Sequence, residues 1–358
     1  MRRDELIPGR RGHAPGHPTA RPHPTVMVLA VVAALSLGGC AFADRPFHRT
    51  VLSYNVQNLF DGADDGREYE RFRAAAGWDR EAYYDRLARL DEVVRIATGR
   101  RVPDVVVLQE VESASVARDL ARDFLRGARW VSAGASGVTT TQVVVLSRAR
   151  PERVRAHAAA TVELVPGGPP RIAWRGRDVV DVRFAAPELR VLACHWKSQS
   201  GGVRETAPYR LREARLVAEL VGPEATGGGS AVLVVGDLNE SGHGAYGAGE
   251  QDAASEAVER VPSSLAELGG RALAGGRELR SLWEGLTAAG TYRYRGEWER
   301  LDRAYLLAGD EIAASLRPVA DARLLDDRGA PARYDERRRR GYSDHLPIVV
   351  TLTIPRSP

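Results

Sequence analysis

Ala231-Val-Leu-Val-Val-Gly-Asp-Leu-Asn239 is the stretch on which the reading of this chain turns. Its first five residues are apolar, rich in valine and too few for a helix, the pattern of a strand buried on both faces. Gly236 closes the run where a backbone must turn sharply or come close to a ligand. Asp237 and Asn239 follow two residues apart, so in an extended chain their side chains leave on the same side. A carboxylate and an amide so placed suit a metal-bound phosphate or a held water. They also suit an Asx turn that ends a strand, and on this stretch alone the turn is the simpler reading.

The same grammar recurs outward in both directions. Thr50–Asn55, Asp104–Glu110 and Leu189–His195 are short apolar runs that end in a polar side chain, and Ser343-Asp344-His345 precedes the run Leu346–Ile354. Further strand-like runs cover Gln142–Ser147, Arg153–Val165 and Asp178–Phe184. Asp79 caps a helix whose apolar face is Tyr83, Leu87, Leu90, Val94 and Ala97, stopped by Gly99 and Pro103. Helices are also expected over Ser115–Leu125 and Leu211–Val221. Thr291–Arg303 reads as a hairpin turning near Gly296-Glu297, with Tyr292 and Tyr294 on one face and Arg293 and Arg295 on the other. No repeat and no Gly/Ser linker divides residues 48–355, so one α/β domain with largely antiparallel sheets is expected.

An apolar content of 44% and a charged content of 27% are globular values. Lys197 is the only lysine among 51 basic residues, beside His195 and Trp196. The net charge of +4 owes +3 to residues 1–39, which leaves +1 for the rest and no global field for long nucleic acid. Residues 1–39 read as an export signal. A basic lead precedes the apolar run Val26–Leu37, too short to span a bilayer, and small residues follow it. Leu37-Gly38-Gly39-Cys40 resembles the lipobox of bacterial lipoproteins, which implies lipidation of Cys40, residues 40–47 as a short tether, and an extracytoplasmic, membrane-anchored location. Cys194 then has no partner and is expected in the core.

Polar residues at strand ends, gathered on one rim, would give Asn, Glu and Asp oxygens for a hard cation with two imidazoles beside it. Ser-Tyr-Asn55-Val, Leu-Gln-Glu110, Cys-His195-Trp, Gly-Asp237-Leu-Asn239, Arg-Leu-Asp302-Arg and Ser-Asp344-His345 occur in the order found in the endonuclease/exonuclease/phosphatase superfamily. Over residues 50–352 the chain resembles that superfamily of Mg²⁺-dependent phosphoesterases. The resemblance implies a four-layered α/β sandwich with two facing, largely antiparallel β-sheets flanked by helices. It implies metal ligation by Glu110 with Asn55 and Asp344, by Mg²⁺ or else Mn²⁺ or Ca²⁺. Asp237 would orient or deprotonate the attacking water and Asn239 would hold the phosphate. His345 would touch the phosphate or act as acid/base, its tautomer fixed by Asp302, while His195 would stabilise charge on a non-bridging oxygen or assist the leaving group.

Lys197 is a further candidate phosphate contact, and Arg337–Arg340 are either rim or solvated surface. The chain departs from the superfamily pattern by an insertion over Gly62–Trp78 and by Arg303 after Asp302. The expected activity is that of a monomeric phosphodiesterase, with nucleic acid first among phosphoester substrates. A phospholipase C or sphingomyelinase-type activity, or small phosphate-ester hydrolysis, is the alternative. A catalytically silent surface-binding lipoprotein is the reading from another class.

Overall fold

Valine-rich strands that bury both faces need a layer on each side, and the chain supplies sheet on one side and helix on the other. The computed structural model describes residues 45–134, 140–164, 171–222, 231–241, 263–269 and 278–356. The apolar run Val26–Leu37, Cys40 and the tether as far as Asp44 lie outside them, as does the loop after Ser241. Pro46–Pro358 is one compact unit. No described helix is long and apolar enough to cross a membrane.

In chain order the elements are β1 (Phe47–Leu59), α1 (Arg80–Thr98), β2 (Val105–Val111), α2 (Ala114–Asp123), β3 (Trp130–Ala133), β4 (Gln142–Ser147), β5 (Arg153–His157), β6 (Ala160–Glu163), β7 (Arg171–Arg175), β8 (Val179–Phe184) and β9 (Leu189–His195). There follow α3 (Val203–Val221), β10 (Ala231–Asp237), α4 (Ser264–Gly269), β11 (Arg280–Ser281), β12 (Tyr292–Tyr294), β13 (Glu297–Glu299), β14 (Asp302–Leu307), β15 (Ala313–Pro318) and β16 (Ile348–Ile354). Two six-stranded sheets result, ordered β15-β16-β1-β2-β4-β3 and β11-β14-β10-β9-β8-β5. Each has one parallel pair at its centre, β1 with β2 and β9 with β10, and antiparallel neighbours elsewhere.

Alternation sorts the side chains into layers. Val51, Val105, Val107, Val191, Leu233 and Val235 fill the core between the sheets. Leu52, Tyr54, Val106 and Leu108 point outward from the first sheet against Leu87, Leu90, Val94 and Leu120 of α1 and α2. Leu192, Val232 and Val234 meet Ala214, Val217 and Val221 of α3 on the outside of the second. The fold is therefore the four-layered α/β sandwich expected.

Local differences have local causes. Asp79 and Gly99 bound α1 as expected, Asp79 accepting the Ala82 N–H at 2.8 Å. The run Arg153–Val165 is two strands: β5 pairs with β8, whereas β6 pairs with β7 in a separate ribbon. α3 begins at Val203, ahead of Pro208, which sits in the second turn and removes one N–H donor there. The hairpin turns on Arg295 and Gly296, both at positive φ (48° and 93°), and β14 leaves it to join the second sheet. Gly236, paired with Cys194, has φ 148°, and a Cβ there would lie 1.9 Å from the Cys194 carbonyl oxygen. Only glycine fits that parallel pairing.

Candidate active site

The alternation that fills the inter-sheet core also decides what ends it. Residues 51, 191, 193, 233, 235, 304 and 306 face between the sheets, so Asn55, four residues past Val51, His195 and Asp237, each two past the last of these in its strand, and Asp302, two before Ala304, face the same way. Register sets three of them in a row, because Asp237 lies opposite His195 on one side and Asp302 on the other. All four are buried, between 0% and 3% exposed. Glu110 is different: alternation would turn it outward, but its φ of 65° and a register shift between Leu108 and Val111 bring it back to the rim.

Both oxygens of Asp237 are held. Oδ1 accepts the Asn239 N–H at 2.9 Å, and Oδ2 accepts Asn55 Nδ2 at 3.0 Å. The first bond is the Asx turn read from the sequence, and it aims the carboxylate. Asn239 itself donates Nδ2 to the Trp196 carbonyl at 3.1 Å, and its own carbonyl takes Gln199 Nε2. Asn55 Nδ2 also reaches Glu110 Oε1 at 3.1 Å, while Asn55 Oδ1 is taken by the Gln57 N–H at 3.0 Å. The Asn55 amide thus offers its nitrogen, not its oxygen, to the two carboxylates. Glu110 Oε2 accepts the Asn58 N–H at 2.9 Å, which requires the left-handed turn at Gln57 and Asn58 (φ 51° and 58°).

Two imidazoles flank Asp237 Oδ2, His195 Nε2 at 3.6 Å and His345 Nε2 at 3.8 Å. His195 Nε2 is also 4.0 Å from Glu110 Oε1. Their electrostatics are opposite. Burial holds His195 neutral, well below its ordinary value, and the charges of Arg177 and His345 push the same way. Burial also opposes charge on His345, but Asp302 and then Asp237 outweigh it and raise the group to about 10. The Asp302 contact is a 2.8 Å bond to Nδ1. Burial raises Asp237 to about 6, with the His345 charge opposing. His195 Nδ1 and Asp302 Oδ1 are buried without a hydrogen-bond partner.

Ser343 Oγ donates to the Asn55 carbonyl at 2.7 Å and accepts the His345 N–H, placing Asp344 and His345 against β1. Asp344 Oδ2 is 3.3 Å from Arg333 Nη2. The Tyr292 ring lies 4.8 Å from the His345 ring, and the Leu346 N–H bonds the Thr291 carbonyl. Lys197 turns elsewhere: its ammonium bonds the carbonyls of Ser198 and Ser200, and its N–H donates to buried Glu213 at 2.7 Å. Of the arginine run, Arg338 pairs with Asp335 and Arg339 with Asp79, Glu81 and Asp85, which makes it surface lattice for α1. Arg303 bonds the carbonyls of Glu240 and Ser241 and so fixes the segment after Asn239. Cys194 is a core thiol whose burial pushes it far above the ordinary range.

Sequence reasoning named Ser343 and Tyr292 without giving either a role beside His345, and passed over Gln199 and Glu213. Glu213 had a signal, a carboxylate on the face of α3 that otherwise carries Ala214, Val217 and Val221. Glu110 and Asp344 are the partly exposed carboxylates of the rim, with side chains 22% and 19% exposed. An oxygen-only donor set of this kind suits a hard divalent cation. A separate acidic group, Asp65, Glu68 and Glu112, has ligand oxygens within 4.8 Å of one another. Glu68 accepts the N–H groups of Asp65 and Gly66 within the 62–78 insertion, and Glu112, just past β2, accepts that of Asp61 ahead of it.

Two facing sheets whose shared core ends in carboxylates and imidazoles define a hydrolase of phosphoesters. The chain belongs to the endonuclease/exonuclease/phosphatase family, whose sequence model matches residues 50–354; its members are divalent-metal-dependent phosphoesterases. Among solved structures it is similar to a mannosyl-6-phosphatase of Bacteroides thetaiotaomicron, at 15% identity over 85% of this chain and 99% of that one, with a TM-score of 0.52. A sphingomyelinase C of Streptomyces griseocarneus matches at 15% identity over 85% and 99%, with a TM-score of 0.50. A family member of Bacteroides thetaiotaomicron matches at 15% identity over 87% and 96%, also at 0.50. Such identities speak for the fold. No curated protein sequence matches the chain.

Proposed function

We propose that the protein is an exported, lipid-anchored phosphodiesterase that uses Mg²⁺ and acts on nucleic acid. The observation that carries the chemistry is Asp237, pinned through both oxygens between a charged and a neutral imidazole. Above about pH 6 its carboxylate is free to take a proton from a water held in line with the phosphorus. The His345 imidazolium, its Nδ1–H on Asp302, presents Nε2–H to a phosphate oxygen. His195, neutral, donates a hydrogen bond to the opposite side of the same phosphate or to the departing oxygen. Glu110 and Asp344 would hold the cation, which when bound polarises the phosphoryl oxygen. Asn55, with its amide oxygen on Gln57, holds Glu110 and Asp237 together and enters a coordination shell only by turning that amide.

Support for nucleic acid comes from the hairpin. Tyr292 lies on His345, Tyr294 is 51% exposed two residues away, and the Arg295 guanidinium covers its ring at 5.2 Å. An exposed ring and a guanidinium beside a phosphate site suit a stacked base and its backbone. Export and anchoring are supported by the run Val26–Leu37 and by Leu37-Gly38-Gly39-Cys40. The test is Mg²⁺-dependent cleavage of plasmid DNA and of RNA by the domain without its leader. Cleavage that persists in EDTA and in Asp237→Ala would falsify the assignment. Hydrolysis of sphingomyelin or of sugar phosphates with no cleavage of nucleic acid would move the substrate to the alternative class.

A further inference from the structure

The pole of the sandwich opposite the catalytic rim, where β1, β2 and β9 begin, is hollowed and basic. Two adjoining hollows of about 730 and 410 Å³ share Arg101, Gly127 and Arg148 in their walls. Five arginines line the larger, and Arg49 and Arg129 are added by the smaller, against only Asp91, Asp104 and Asp123. Those acids are already engaged. Asp91 pairs with Arg95 at 2.6 Å, Asp104 is shared by Arg101 and Arg148 at 4.0 and 3.5 Å, and Asp123 takes two bonds from Arg122.

Arg100 and Arg129 are left over, and Arg126 acts on Asp123 only through its charge. Among the described residues their guanidinium groups make no hydrogen bond or ion pair, and all three are exposed. Helices α1 and α2 both end here, and cations near helix C-termini are ordinary. Arg95 in the last turn of α1 fits that account; these three reach no helix carbonyl. In a chain whose residues after 39 sum to only +1, so local a surplus calls for an anion.

We propose that this arginine groove docks the domain on an anionic membrane surface by receiving the phosphodiester groups of its lipids. The chain enters the unit at this pole, through Pro46 and Phe47, and the Phe47 ring lies under the Arg49 and Arg356 guanidinium groups at 5.5 and 4.7 Å. Seven residues, 40–46, span at most about 25 Å when extended. An anchor at Cys40 therefore keeps the groove within reach of the bilayer, where basic groups add to a lipid chain as a second attachment. This rests on the anchored reading above and deepens it. From Arg49 to Asn55 is about 20 Å along β1, so the docked domain opens its catalytic rim away from the membrane and takes substrate from the aqueous side.

The test is flotation of residues 46–358, which contain the whole described core, with phosphatidylcholine vesicles with and without phosphatidylglycerol. Binding is expected only to the anionic vesicles and is lost as salt is raised. The triple change Arg100→Glu, Arg126→Glu and Arg129→Glu is expected to weaken it about tenfold or more. That variant keeps the thermal unfolding and the hydrolysis of a soluble diester of the unmodified domain. Arg293→Glu with Arg295→Glu, at the other pole, leaves flotation unchanged. Equal binding to neutral vesicles, or flotation of the triple variant at the unmodified level, overturns the proposal. So does binding of inositol hexakisphosphate in the groove without vesicle binding, which would make the ligand a soluble phosphate. Because the domain lacks Cys40 and flotation needs no turnover, loss of hydrolysis with intact flotation counts against the phosphodiesterase reading alone.

Discussion

The two sheets share one strand plan and contribute to the rim in opposite ways. In the second sheet His195, Asp237 and Asp302 stand buried at strand ends whose pairing has no register shift, the one special backbone position being Gly236. In the first, Glu110 and Asn58 reach the rim only where the strand bulges and its register shifts, at φ 65° and 58°. The regular half holds groups whose charge burial governs, lowering His195 and raising Asp237. The irregular half holds the partly exposed carboxylate suited to a cation, whose shell needs room and access. Two side-chain hydrogen bonds join the halves at the rim, Asn55 to Asp237 and His345 to Asp302.

The sharpest way to break this division is to remove the proton acceptor and leave its shape. Asp237→Asn is expected to lower kcat about 10³-fold with little change in KM, measured on a soluble diester at saturating Mg²⁺. A similar loss from Gln199→Ala, which touches only the Asn239 carbonyl, would locate the effect in the turn instead. Next is the charge on His345. The proposed mechanism needs Asp237 ionised and His345 protonated, so the rate is expected to rise through about pH 6 and fall through about pH 10. Asp302→Asn takes away the carboxylate that does most to keep His345 protonated. The alkaline limb should move to lower pH and kcat should fall about 10²-fold. An unmoved limb would mean that Asp302 does not govern that imidazole.

The regular half was the legible one. Alternation and apolar runs that stop at a polar residue are local signals, and they mark His195 and Asp237 without reference to any contact, whereas Asp302, at the start of β14, lay in a stretch read as a hairpin and came only with the family resemblance. The Asx turn and the carboxylate proposed to handle water share one residue, Asp237, whose Oδ1 the Asn239 N–H holds. The irregular half was only half legible. Glu110 is visible as a strand end, yet periodicity points it outward, and the bulge that returns it depends on the Asn58 N–H from another strand. Asn55 is visible too, but which end of its amide faces the carboxylates is decided by the Gln57 N–H. Lys197, conspicuous as the only lysine, turns to loop carbonyls because β9 ends at His195 and alternation no longer holds past it. Nothing local announces β6 with β7, whose pairing is between two weak segments.

The ties between halves are the next place to press. Asn55→Asp keeps the volume but sets a third carboxylate against Glu110 and Asp237. In EDTA it is expected to destabilise by about 2 kcal/mol, from one donor replaced by a repelling acceptor. Mg²⁺ should recover part of that loss, more than it adds to the unmodified domain, because the cation then bridges like charges. Thermal unfolding with and without Mg²⁺ reads both numbers. Equal shifts in the two proteins would place the cation away from Asn55.

The smallest expected effect tests the rigidity of the regular half from behind. Glu213 on α3 is buried, and its Oε2 holds the Lys197 N–H just beyond His195. Burial raises this carboxyl from 4.5 to about 8, against the opposing bond from Lys197 and the charges of Arg177 and Arg210. The folded state therefore keeps a proton that the unfolded chain gives up above about 4.5. Stability contributed by this group is complete below that pH and drains away as pH rises toward about 8. Glu213→Gln keeps an acceptor for Lys197 and has no proton to lose. Relative to the unmodified domain its Tm should be unchanged near pH 4.5 and the gap should widen steadily to pH 8. A gap that does not widen with pH would mean that Arg177 and Arg210 already hold Glu213 ionised, and that the end of β9 is backed by an ion cluster instead of a neutral acid.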